Sequence, residues 1–204
     1  ETALSDPLAS LERHPAVAMV GRYGLALPGA PAPQSDASLL SAAKETIRRA
    51  TTGELAWDTG RGLVTIDSPR TQAVIGFVGA EAVRTRDVGF ALETPFAVVM
   101  VSSLDGQPIA VSRRLLVSTS ADARWTGVTV SETGDRILST GHWPFLMQPV
   151  EGRLTLPGGG KTTVYRLAAD GSRTKPLDAE TIAEGLVVSL RAAHGCMHYE
   201  VVRE

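Results

Sequence analysis

A chain of 204 residues with 43% hydrophobic content and a formal charge of −2 carries enough apolar surface for a buried core, and its composition excludes a disordered polymer. Its 20 basic residues are scattered among 22 acidic ones, leaving no basic patch for nucleic acid, and no apolar run approaches the roughly 18 residues that cross a bilayer. The single cysteine, Cys196, excludes an intrachain disulfide and any zinc site built on two thiolates, and no cofactor is expected.

The chain starts at Glu1 rather than Met, which implies an upstream signal peptide, a processing event or a larger parent protein. Residues 16–27, with Val17, Met19 and Tyr23, form an apolar run that predicts a strand. Pro28-Gly-Ala-Pro-Ala-Pro33 ends it, because proline has no amide to give a ladder. One short helix is expected near 36–50. Ser35 or Asp36 would cap it, Leu40, Ala43 and Ile47 share a face, and Arg48 and Arg49 oppose the negative end of its dipole.

From Gly53 the period drops to two. Leu55 and Trp57 alternate before Asp58-Thr-Gly-Arg-Gly62, and Leu63, Val64 and Ile66 complete a hairpin. Gln72–Phe77 reads as a continuous apolar strand. Phe96–Leu104 is apolar enough to be covered on both faces, and Asp105-Gly106 turns it back into Ile109–Ser118. Ser120–Gly141 is polar and glycine-containing, which predicts an irregular loop or edge around Trp125. Strands are expected at Val150–Leu156, Thr162–Leu167, Leu186–Leu190 and His198–Val202, while Asp178–Ala183 suits helix or strand equally. Many short strands at this spacing, with 20 glycines and 12 prolines between them, predict a mainly β fold. That fold is an antiparallel β-sandwich over 51–204, preceded by a linking segment over 1–50.

Three stretches carry a family resemblance. They are Thr52-Gly-Glu-Leu-x-Trp-Asp58, Gly62-Leu-Val-Thr-Ile-Asp-Ser-Pro-Arg-Thr-Gln-Ala73 and Gly76-Phe77. Val101-Ser-Ser-Leu-Asp-Gly-Gln-Pro-Ile-Ala110, Ser112-Arg-Arg-Leu-Leu-Val117 and Tyr199-Glu-Val-Val202 fit the same pattern. The chain resembles the C-terminal β-rich region of large bacterial glycoside-hydrolase-like proteins, in which a (β/α)8 barrel comes first. The resemblance implies a non-catalytic accessory domain of a polysaccharide-processing protein that is secreted, periplasmic or held at the cell surface. Its expected partners are the catalytic barrel and polysaccharide. It transfers no catalytic residue, since such residues lie on a barrel of about 250 residues.

Several side chains still invite a chemical reading. Glu54, Asp58 and Asp67 are carboxylates of the kind a glycosidase pairs across a cleft, but turn capping accounts for them with fewer assumptions. Trp57 alternates with Leu55 and reads as core. Trp125 and Trp143, with Arg124 and His142 beside them, are candidate carbohydrate-binding residues, because pyranose rings stack on flat aromatic faces. Gly158-Gly-Gly-Lys-Thr162 mimics a phosphate loop, yet it lacks the earlier glycine and leads into a strand. His194, Cys196 and His198 offer a spacing for a soft metal or a Cys–His pair, with no further ligand or orienting group evident. Arg70, Thr71 and Gln72 would either lock a strand end or bind a carboxylate or sugar hydroxyl.

Overall fold

The computed structural model describes residues 16–21, 37–79, 81–158 and 161–204, and the chain divides into two compact units, Glu1–Ile66 and Asp67–Glu204. In the first, Val17–Val20 make one helical turn that ends at Gly21, where a strand was expected. The rest of that stretch, the proline-rich segment and the capping positions Ser35 and Asp36 lie outside the described residues. The helix is real but short, Ala37–Ala42.

The second half of the expected helix is instead strand β1 (Ile47–Arg49), antiparallel to β2 (Leu55–Asp58), which turns into β3 (Leu63–Asp67). Arg48 pairs with Trp57 in register, and its guanidinium sits 4.9 Å from the centre of the indole ring. That cation–π contact and the strand pairing outweigh a helical turn whose isolated stability is marginal. Arg48 and Arg49 therefore lie along a sheet edge and compensate no helix dipole. Trp57 is half-buried beneath the arginine.

The second unit is a β-sandwich. Its strands are β4 (Thr71–Phe77), β5 (Val83–Arg84), β6 (Gly89–Leu92), β7 (Phe96–Ser103), β8 (Arg114–Ser120), β9 (Ala123–Val130) and β10 (Ile137–Met147). They continue as β11 (Gly152–Leu156), β12 (Thr162–Leu167), β13 (Arg173–Leu177), β14 (Glu180–Ile182), β15 (Gly185–Leu190) and β16 (His198–Arg203). One layer pairs β4, β7, β8, β16, β12 and β13 in that order, and a five-stranded layer pairs β14, β15, β11, β6 and β5. Every pairing is antiparallel.

Period-two alternation decides which side chains meet between the layers. Val99, Val101, Leu115, Val117, Val201 and Tyr199 face inward from the first layer, and Phe90, Leu154, Leu156, Val188 and Leu190 from the second. Full burial of such a side chain is worth about 1.5–3 kcal/mol. The outer face of the first layer is also apolar: Ile75, Val98, Met100 and Leu116 are half-buried there, and exposed Phe77 meets Phe96 edge-on at 5.4 Å. Phe96–Ser103 is thus fully covered on one face only. At Gly152, φ is +143° and an added Cβ would stand 2.5 Å from the Ala91 carbonyl oxygen, so only glycine lets β11 approach β6 this closely.

Two polar clusters fix the connections. Asp105 accepts hydrogen bonds from the Ser103 and Ser112 hydroxyls (both 2.8 Å) and from the Gln107 and Arg113 amides. Burial pushes its carboxyl up, but these donors outweigh it and hold the group well below the ordinary carboxylate range. The residues after it loop back with Ile109 fully buried, so the return strand begins at Arg114 rather than Ile109. Arg203 closes the same end of the sandwich, donating to the carbonyls of Ile109, Ser112 and Pro157.

The second cluster centres on Gln72, which is fully buried. Its Oε1 accepts from the Thr85 hydroxyl (2.7 Å) and from the Asp87 and Val88 amides (3.0 and 3.1 Å), while its Nε2 donates to Asp87 Oδ2 (2.6 Å). Thr71 contacts the Ser102 hydroxyl. Gln72 is thus a lock within the sandwich, anchored on residues 85–88, while the Arg70 side chain is exposed. Replacing Gln72 with Ala strands several buried donors and opens a cavity. Urea denaturation should show Gln72→Ala destabilised by about 2–4 kcal/mol, with Thr71→Ala costing less than about 1 kcal/mol.

Candidate functional site

Residues 120–141 are not an irregular loop. β9 and β10 form a separate two-stranded hairpin that pairs with neither layer of the sandwich among the described residues. Thr126, Val128, Thr129 and Val130 favour extended backbone, and Ser131–Arg136 supplies the turn, with Gly134 at φ +74°. Asp135 ties that turn together: the Thr133 hydroxyl and then the Ser131 hydroxyl bond its carboxylate and lower its pKa. The arm has no core to face, so its apolar residues show no buried stripe. Val130, Ile137, Leu138, Leu146 and Met147 are all exposed.

The ladder runs from Val130 opposite Ile137 to Thr126 opposite His142, then slips, and resumes with Trp125 opposite Phe145. The slip holds Trp143 and Pro144, joined by a cis peptide bond. Proline cannot donate to the ladder, and the Thr126 hydroxyl binds the Pro144 carbonyl at 2.7 Å. The bulge lifts Trp143 onto Trp125 (centroids 5.4 Å apart, planes tilted 54°), and Phe145 meets Trp125 edge-on at 5.2 Å. Trp143 is 73% exposed.

Of the four residues singled out from sequence, three share this cluster. His142 Nδ1 lies 2.7 Å from the Trp143 carbonyl oxygen. A carbonyl only accepts, so Nδ1 is the donor in this contact, and Nε2 takes no part in it. Arg124 is different: it forms an ion pair with Asp122 and so is already committed. Phe145 completes the cluster and was missed, because its place depends on cross-strand register rather than on any local pattern.

The other candidates are drawn into the scaffold. Asp58 Oδ1 accepts from the Gly60 and Arg61 amides at 3.0 Å each, and Asp67 Oδ1 accepts from the Arg86 amide. Glu54 lies in the turn before β2, whose far end is Asp58. Lys161 pairs with Glu204, and strand β12 follows it immediately, so the phosphate-loop pattern meets no helix; residues 159–160 lie outside the described residues.

His194 sits in a 3-10 turn with Nδ1 3.2 Å from the Tyr199 hydroxyl, which also lies against the Cys196 thiol, whereas His198 turns to Ser118. Burial, and then the Arg166 and Arg191 charges, lower the His194 pKa; burial, and then Cys196, raise that of Tyr199. No cluster of three metal-ligating side chains occurs among the described residues. A shallow depression of about 310 Å³ is lined by Glu81, Glu93, Arg153 and neighbouring apolar atoms.

Glu200 is the buried carboxylate that a catalytic reading would favour. Its side chain is 5% exposed on β16, and Arg173 (2.6 Å) and Arg114 (2.7 Å) both converge on it. Arg173 in turn stacks on Tyr165, 4.7 Å from the ring centre. The Arg173 hydrogen bonds, opposed by burial and reinforced by Arg114, lower the Glu200 pKa below its ordinary 4.5. A carboxylate depressed in the folded state stabilises the fold above its unfolded pKa and loses that contribution as pH falls through the folded one. Glu200→Gln should therefore lower the thermal midpoint at pH 7 and flatten its decline below about pH 4.5, as read by thermal melts across pH 2.5–7. Comparison with protein-family models, with curated proteins and with solved structures found no match for this chain.

Proposed function

We propose that this chain is a non-catalytic accessory domain of a glycoside-hydrolase-like, polysaccharide-processing protein, packed against a catalytic barrel in an exported or surface-held parent. The observation that carries the reading is the fate of four carboxylates, Asp58, Asp67, Asp105 and Glu200; Glu81 and Glu93 line only a shallow depression. Hydrolysis of a glycosidic bond needs two carboxyl groups set about 5–9.5 Å apart across a sugar-sized cleft. Here Asp58, Asp67 and Asp105 are held by backbone amides and hydroxyls, and Glu200 is neutralised by two arginines.

The packing part of the reading draws on the outer face of the larger layer. A monomer seldom leaves Phe77 and Phe96 in solvent beside a strip of half-buried Ile75, Val98, Met100 and Leu116. A neighbouring domain of the same parent would cover it. The resemblance of Thr52–Phe77 to a region that follows a barrel supplies the identity of that neighbour.

The 204-residue chain incubated with a broad panel of glycans should release reducing ends at the rate of a buffer blank. Release that scales with protein concentration and survives repurification would refute the non-catalytic assignment.

A further inference from the structure

We propose that the β9–β10 arm is a glycan-stacking element whose ligand is an uncharged pyranose chain, bound on the exposed face of Trp143 with Trp125, Phe145 and His142 as its support. This rests on the reading of the chain as an accessory unit of a polysaccharide-processing protein and adds the ligand class. Aromatic rings suit that ligand because their electron-rich faces attract the C–H faces of a sugar ring.

The cluster has the parts such a site needs. Trp143 is 73% exposed, so one ring face is open to solvent. Trp125 at 5.4 Å and Phe145 at 5.2 Å from Trp125 brace it, so little side-chain freedom is lost on binding. His142 spends Nδ1 on the Trp143 carbonyl, which fixes the ring and leaves Nε2 to hydrogen-bond a sugar hydroxyl, itself a donor and an acceptor, in the adjacent residue.

Charge selects among ligands. Arg124, the nearest cation in sequence to this cluster, is neutralised by Asp122. Among the described residues, the cation and the carboxylate beside the cluster, Arg124 and Asp122, are spent on each other, which offers little to an acidic or a cationic polymer. A neutral chain of hydroxyls matches that balance. Of the arm's exposed aliphatic residues, Leu146 and Met147 follow Phe145 directly, while Val130, Ile137 and Leu138 lie at the turn end, apart from the aromatic cluster in its register. An apolar protein partner would engage that turn end as well, and the test separates the two occupants.

The chain is run by affinity electrophoresis through native gels holding galactomannan, xyloglucan or mixed-linkage glucan, with polygalacturonate as the charged comparison. At least one neutral polymer should retard it. Trp143→Ala should weaken that retardation about tenfold, Phe145→Ala should act in the same direction, and Ile137→Ser should leave it unchanged. All these positions lie outside the sandwich core, so unchanged thermal midpoints verify the sandwich, and an unchanged tryptophan emission spectrum in Ile137→Ser verifies the arm.

Quenching of tryptophan emission in the unsubstituted chain by a soluble neutral oligosaccharide gives a readout that needs no variant. Absence of both retardation and quenching would overturn the proposal. So would retardation by polygalacturonate alone, or retardation lost in Ile137→Ser and kept in Trp143→Ala. None of those results touches the non-catalytic accessory reading, which falls only if the chain itself hydrolyses glycans.

Discussion

The carboxamide of Gln72 faces the apolar interior of the sandwich, where an unpaired amide would cost on the order of several kcal/mol. Every partner it reaches through Oε1 lies on residues 85–88, the segment that leads into β6 of the opposite layer. The polar requirement of one side chain on β4 therefore sets where the second layer begins. Val99 and Val101 on one side and Phe90 and Leu92 on the other pack around a spacing fixed by hydrogen bonds, not by apolar contact alone. Hydrophobic area drives the layers together, and the amide network selects one arrangement among the many that area would permit.

The same economy runs through other ionisable groups. Asp105 and Arg203 close one end of the sandwich from opposite sides, the first gathering donors and the second gathering carbonyls. Glu200 gathers two arginines on the outer face. Each of these would be an attractive catalytic residue if it opened into a cleft with a poised acidity. Instead each is hydrogen-bonded by partners that belong to the scaffold. A carboxylate held below its ordinary range, as Asp105 and Glu200 are, stays charged near neutral pH and is poorly suited to acid–base chemistry there.

Much of the scaffold was legible in the sequence because a strand that packs in a core leaves a short apolar run, alternating or continuous, between turn signals. Leu63–Asp67, Thr71–Phe77, Phe96–Ser103, Thr162–Leu167, Gly185–Leu190 and His198–Arg203 were expected as strands on that ground. The readings that failed were those where local pattern competed with a distant partner. Ile47, Arg48 and Arg49 continue a helical period, yet Trp57 draws them into a strand. Val83–Arg84 and Gly89–Leu92 are too short to show a period, and their place depends on β11. Tryptophans 125 and 143 stood out by type, but Phe145 joins them only through the register slip after His142. Arg124 looked available because nothing local marks Asp122 as its partner.

The arm is the clearest case of a segment whose shape the core does not dictate. A two-stranded hairpin standing alone is marginally stable in water, so its own side chains must hold it. Cross-strand aromatic pairs are each worth roughly 0.2–1 kcal/mol, and the arm concentrates three such rings at one place, with Thr126 securing the bulge through the Pro144 carbonyl. The contacts that keep the hairpin folded are also the contacts that set the angle of Trp143. Stability and presentation of the exposed ring are thus one property here. Any substitution that loosens Trp125 should disturb the orientation of Trp143 before it disturbs the sandwich, because among the described residues no strand of either layer pairs with the arm.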